Sequence, residues 1–400
     1  MVETSSGDVH GSPLSGNLYL RPDIEDYIGA DDIDRITRFL QHDGSFTEPV
    51  RHAHGRNVTI SLTESVGFYN AVQISGGAYI DMGITSNSDA QNGVVLMDPT
   101  KSKRMGRPAQ TPQQFTHSYY VVQDGQLVRR SDQSPMGSYP KTLADRKLRL
   151  TERASHIEAQ STVLIAPIVL GKYEFEDLPD GQGNNATALL FAVPAGGERA
   201  DTSLLSYLMT AARNDPEHIE AVLDEHTPPL MLTLSLLGRA AADIHAHGLA
   251  HNQLTMGNVL AFSVDKKYYL YVADWETATE TAPEDASLTA AFELTAAFSS
   301  FASVIDEVES ATRLTPKHKD EILKEACLVL WAGYARLPHE RVRNFMAGNL
   351  ELWLEAMEAL SRPTGDAAHY EPIIDFTDHL VEYRRLLVAH YLGDTAADKK

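Results

Sequence analysis

Apolar residues recur three and four apart between residues 230 and 247. There Leu236, Leu237, Ala240, Ala241 and Ile244 define one face of a helix, and Gly248 stands at its expected C-terminal cap. After a polar loop, Val259–Leu260 and the run Tyr268–Val272 read as two strands of a hairpin, turning across Asp265, Lys266 and Lys267. Helical spacing returns at 286–310, 317–335, 341–360 and 373–392, where Trp331, Tyr334, Phe345, Leu352 and Trp353 read as core.

Upstream the texture differs. Residues 22–42 scatter Ile24, Tyr27, Ile28, Ile33, Ile36 and Phe39 among acids, a pattern of short helices. From 56 to 130 the chain alternates. Asn57–Leu62, Phe68–Ile74, Val94–Met97 and Tyr119–Gln123 are separated by Gly and Asn-Gly signals, which predicts a mainly antiparallel sheet. A helix follows at 140–160. Two strands then flank the turn-rich DLPDGQGNN, and a short helix is expected at 202–209. Residues 1–18 are rich in Ser, Gly and acid and read as a disordered tail, and 394–400 as a polar one.

Composition narrows the options. A chain of 400 residues allows one two-lobed unit or two to three domains. Its 55 acidic residues outweigh 34 basic ones, and the net charge of −21 argues against nucleic-acid and anionic-membrane partners. Cys327 is the sole cysteine, which rules out an intrachain disulfide and a cysteine-based zinc site. The N-terminus has no basic region followed by an apolar core, and no run reaches the ~18 apolar residues of a membrane span. The expectation is a cytoplasmic protein.

The candidate chemistry lies at 236–276. A helix, a loop with His251 and Asn258, and a strand ending at Asp274 supply two oxygen donors on rigid ends, the kind of ligand a magnesium ion takes beside phosphates and water. Here the chain resembles the protein-kinase-like superfamily. Ile244, His245, Gly248, His251 and Asn258 fall on the grid of the LHxxGxxHRDxxxxN pattern, and Asp274-Trp275-Glu276 sits at the place of its metal-binding DFG. GNVL followed by DWE is similar to the aminoglycoside and choline phosphotransferase branch. The resemblance implies an α+β, two-lobed kinase-like fold, with an antiparallel β-rich N-lobe over 19–193 and a mainly helical C-lobe over 194–393. It also implies ATP and Mg2+ as cofactors, with Asn258 and Asp274 as metal ligands.

The family's catalytic Asp is replaced by Gln253. A Gln amide is neutral and cannot act as a general base, although its oxygen can orient a nucleophile. The catalytic assignments are therefore Gln253 for orienting the acceptor and His251 for shaping the loop. In the N-lobe the resemblance points to Lys101 as the nucleotide lysine, Glu152 (then Glu158) as its helix partner, and Ser75-Gly76-Gly77 as the phosphate turn. The backbone near Ala192 and Val193 would form the adenine hinge. The family opens its central C-lobe helix with an Asp; the nearest acid here is Glu293.

Three functions follow. The first is a phosphotransferase, or other nucleotide-dependent transferase, acting on a small-molecule or peptide acceptor. The second is a pseudokinase scaffold that binds a partner protein. The third is a metal-dependent hydrolase that uses His245, His247 and His251 as an HxHxxxH cluster.

Overall fold

A computed structural model describes residues 15–41, 51–53, 57–76, 79–81, 104–106, 114–135, 138–194, 210, 218–347 and 366–397. Gly77, Lys101 and residues 1–14, 94–97, 202–209 and 348–360 lie outside them. In chain order the first elements are β1 (Gly16–Leu20), α1 (Ala30–Leu40), β2 (Arg51–Ala53), β3 (Asn57–Val66), β4 (Tyr69–Ser75), β5 (Tyr79–Asp81) and β6 (Arg104–Gly106). Next come β7 (Gln114–Gln123), β8 (Gln126–Pro135), α2 (Lys141–Glu158), β9 (Leu164–Ile165), β10 (Ile168–Pro179) and β11 (Asn185–Val193). The rest are α3 (Ile219–Ala246), β12 (Leu249–Ala250), β13 (Val259–Val264), β14 (Lys267–Val272), β15 (Thr279–Glu280), α4 (Ala286–Ala311), α5 (Pro316–Ala335), α6 (His339–Met346) and α7 (Glu371–Ala397).

This is a mixed α/β chain with antiparallel sheet and long helices. It divides into two compact units: residues 1–118, 131–153 and 167–196, and residues 119–130, 154–166 and 197–400.

The first unit is built on a six-stranded sheet, order β1-β10-β11-β4-β3-β2, with every neighbouring pair antiparallel. Val58, Ile60, Val72, Ile74, Leu170, Tyr173, Phe175 and Leu189–Ala192 make its core. One expectation needs correction here. Residues 16–18, read as disordered tail, begin an edge strand in register with Tyr173–Phe175. The turn-rich loop before β11 is pinned by Asp180, whose carboxylate accepts from Lys141 N, Gln182 N and Asn184 N. Burial pushes the Asp180 pKa up, but those backbone donors outweigh it and the net shift is downward.

The second unit is mainly helical. The helix expected at 230–247 starts instead at Ile219 and runs through Pro228 and Pro229. Each proline removes one backbone donor. Thr227 and Thr233 hydroxyls donate to Leu223 O (2.7 Å) and Pro229 O (3.0 Å), one turn back along the same helix. α3 and α5 touch backbone to backbone. A Cβ on Gly238 would lie 2.1 Å from Leu330 O, and one on Gly333 would lie 2.2 Å from Ser235 O. Contrary to the sequence expectation, the helix over Pro283–Ser310 is long and apolar enough to cross a membrane by length and composition. Its apolar window is 78% buried within the protein, as in a core helix.

Candidate functional site

α3 ends in a left-handed cap. Gly248 has φ +66 and donates to His245 O (2.9 Å). The chain then pairs β12 with β15, Leu249 opposite Glu280 and Ala250 opposite Thr279, so the loop from 251 leaves a fixed edge. His251 is fully buried. Its Nε2 donates to Ala273 O (2.7 Å), and its ring meets Trp275 edge-on at 5.0 Å. Desolvation lowers the His251 pKa despite the nearby carbonyl and the Glu293 and Asp274 carboxylates, so the ring is neutral and anchors the loop. Asn252 takes a left-handed conformation (φ +64) and donates to Thr277 O (2.8 Å) and Thr279 Oγ1 (2.9 Å).

β13 and β14 pair from Val259–Val272 to Val264–Lys267, and the turn is only Asp265-Lys266, both left-handed, with Lys267 already in the strand. At the open end Ala273 N donates to Asn258 O (2.9 Å), extending the ladder by one step. Asn258 and Asp274 therefore emerge at the same end of the hairpin. Asn258 Nδ2 is held on Gln253 O (2.9 Å), so Oδ1 is the amide atom whose chemistry suits a cation. Asp274 is half-buried and left-handed (φ 58, ψ 48), a conformation Asp tolerates better than most residues. An amide oxygen and a carboxylate fit Mg2+.

Behind the loop lies a network that sequence reading did not assemble. Glu293 of α4 is fully buried. It accepts from Asn252 N through one carboxylate oxygen and from His245 Nε2 (2.7 Å) through the other. His245 Nδ1 in turn accepts from the Tyr334 hydroxyl (3.1 Å). Burial, then the Glu293 and Asp378 carboxylates, raise the Tyr334 pKa, so the phenol stays protonated and able to donate. α3, α4 and α5 are thereby tied to one backbone amide of the loop. Asp285, also buried, accepts from Asp124 N (3.2 Å) and Gly125 N (2.7 Å), fixing the tip of the β7–β8 hairpin at the start of α4.

In the first unit, Glu152 is exposed and adds to the field that keeps Arg21 protonated, where Asp23 is the main cause. Glu158, the second choice, lies in the second unit and accepts from Ala166 N (3.0 Å). Ala192 is paired on both sides, with Ile168 and Val72, whereas Val193 pairs with Ala71 alone. Gly76 has φ +83, and a Cβ there would lie 2.7 Å from the Tyr139 ring. That ring belongs to a group the sequence did not suggest. Lys147 of α2 is buried, donates to Tyr139 Oη (3.1 Å), and places its ammonium 5.1 Å from the Tyr139 ring and 5.6 Å from that of Phe191. The signal was available: Leu143, Ala144, Lys147, Leu150 and Thr151 share one helical stripe.

The HxHxxxH reading is corrected. His245 serves Glu293 and Tyr334, His247 bonds Asp243 O (2.7 Å) and Gln160 Oε1 (3.3 Å), and His251 bonds Ala273 O. Among the described residues no group of three or more His, Cys, Asp or Glu is placed to hold a metal.

No family model and no curated protein matches the chain. Among solved structures it is similar to a glucosamine kinase (crystal form B) at 13% identity and TM-score 0.33, covering 66% of this chain and 73% of that one. A glucosamine kinase in complex with glucosamine, ADP and inorganic phosphate is 11% identical at TM-score 0.33, covering 89% and 96%. A Toxoplasma gondii specific rhoptry antigen kinase domain is 12% identical at TM-score 0.30, covering 63% and 85%. Likeness this slight carries no argument about fold or chemistry.

Proposed function

We propose that the chain is a kinase-like protein that binds ATP with Mg2+ and acts as a phosphotransferase with an atypical catalytic loop. A two-lobed arrangement, with the β-rich unit as nucleotide-binding lobe, is part of this proposal. The observation that carries it is the hairpin end: Asn258 and Asp274 emerge together there, behind a loop held by His251 on Ala273 O and by Glu293 on Asn252 N. Asn258 Oδ1 and the Asp274 carboxylate would hold the metal, which when bound would neutralise phosphate charge. The chain's own part is positional. Gln253 carries no charge, so it would orient an acceptor by hydrogen bonding rather than take its proton. Phosphoryl transfer depends more on positioning and charge neutralisation than on proton abstraction, so this lowers a rate without abolishing it.

The second reading is a pseudokinase that binds a partner protein, and the same Gln253 supports it. Thermal unfolding with and without ATP plus Mg2+ tests the nucleotide site in both readings. Ligand at a hundredfold excess over Kd stabilises by about 2.7 kcal/mol. We expect a magnesium-dependent rise in Tm for the natural chain and none for Asp274→Ala. Absence of a rise at millimolar ATP sinks the active-enzyme reading.

A further inference from the structure

Resting on that reading, we infer that the acceptor presents an oxygen already deprotonated at neutral pH, a carboxylate, and that the product is an acyl phosphate. Burial along the loop alternates: Asn252, Leu254, Met256 and Asn258 are buried, whereas Gln253 and Thr255 are half-exposed. The two half-exposed polar side chains of the loop are thus an amide and a hydroxyl, both able to donate a hydrogen bond and neither able to accept a proton near neutral pH.

Among the described residues, the ionisable groups around the loop are buried or held by the fold. His251 is buried with its Nε2–H on Ala273 O, Glu293 holds His245 and Asn252 N, and Glu276 is buried on the turn after Asp274. Asp274 belongs to the metal in this reading. A hydroxyl acceptor must lose a proton as it is phosphorylated, and an aspartate at position 253 would take it. The same aspartate would repel a carboxylate. Gln reverses both preferences: it withdraws the base and offers N–H donors to an anion.

The balance closes without a proton. A carboxylate oxygen attacks the γ-phosphorus, a C(O)O–P bond forms, and the bond from phosphorus to the β,γ-bridging oxygen breaks, its electron pair leaving on ADP. No proton moves, so no base is required.

The reverse direction gives a test that needs no knowledge of the natural acid. The full chain is incubated with Mg2+, ADP and acetyl phosphate, the smallest stable acyl phosphate, and ATP formation is followed. MgADP binding is measured in parallel on the natural chain and on Asp274→Ala, Gln253→Asp and Gln253→Met, with thermal unfolding to check that each variant folds. We expect ATP from the natural chain and none from Asp274→Ala. Gln253→Asp should be slower by about tenfold or more, the effect of a like charge beside the acceptor, and slower than the uncharged Gln253→Met. Asp274-dependent MgADP binding without ATP formation, or a faster Gln253→Asp, overturns the carboxylate assignment and leaves the nucleotide site standing. MgADP binding that is absent, or indifferent to Asp274→Ala, overturns the nucleotide reading itself.

Discussion

Glu293 is the residue on which the loop depends, and its removal should cost far more than its exchange for an amide. Its carboxylate, with no exposed surface, accepts one hydrogen bond from Asn252 N and one from His245 Nε2. Glu293→Ala leaves both donors facing a void. At about 1–3 kcal/mol for each orphaned buried donor, plus the lost packing, the expected cost is about 3–5 kcal/mol. Glu293→Gln keeps the volume. Its amide oxygen can still accept from Asn252 N, but its NH2 then faces His245 Nε2, and the ring must move its proton to Nδ1. The Tyr334 hydroxyl would have to accept where it now donates, a rearrangement worth about 1–2 kcal/mol. Tyr334→Phe removes only the outer member and should cost about 1 kcal/mol.

Urea unfolding of the three variants and of the Glu293→Gln/Tyr334→Phe double variant reads these values. The pair should be coupled by about 0.5–1 kcal/mol, because each change alters what the same imidazole can do. Amide hydrogen exchange at Asn252 should accelerate in Glu293→Ala before any exchange limited by global unfolding. If Glu293→Gln costs as much as Glu293→Ala, volume and tautomer are irrelevant and the hydrogen-bond account is wrong. If neither exceeds about 1 kcal/mol, Glu293 does not hold the loop.

Gly238→Ala and Gly333→Ala should each destabilise by about 1–3 kcal/mol in the same urea titration, because the new methyl meets a carbonyl oxygen of the facing helix rather than a side chain that can swing away. His251 should give the stability curve an acid limb. Its folded pKa lies below the ordinary histidine value of 6.5, so the unfolded chain binds the proton more readily; stability is full above about pH 6.5 and falls as the pH drops below it. His251→Gln, which can still donate to Ala273 O, should flatten that limb in unfolding experiments between pH 5 and 8, set by the ordinary histidine range; an unchanged slope refutes the assignment.

What was legible in the sequence was local. The helix at 286–310, the 259–272 hairpin, the left-handed Gly248 and the antiparallel strands at 57–62 and 68–74 follow from spacing and turn chemistry within about a dozen residues. Long-range pairings were not. β1 lies against β10 some 150 positions away, and β9 joins β14 in parallel, because a short edge strand carries no mark of the partner that will complete its ladder. The helix read as starting at 230 begins at Ile219 and carries Pro228 and Pro229 inside it.

The candidate site divides along the same line. Asn258 and Asp274 were readable because a two-residue hairpin turn fixes their relation, and no other part of the chain is needed to bring them to one end. What holds the loop in place comes from three helices, and its members look ordinary one at a time: a histidine near a helix end, a tyrosine on an apolar face, an acid within ASLTAAFELTAAF. Yet the acid in that apolar helix is itself a signal. A carboxylate is buried only where donors meet it, so Glu293 among small apolar residues calls for partners from elsewhere in the fold. Lys147 on the stripe of Leu143, Ala144 and Leu150 makes the same demand, and Tyr139 and Phe191 answer it. A polar residue at a core position is thus the trace that a long-range contact leaves in a sequence: it shows that a partner exists and what chemistry it must have, while the fold decides which residue that is.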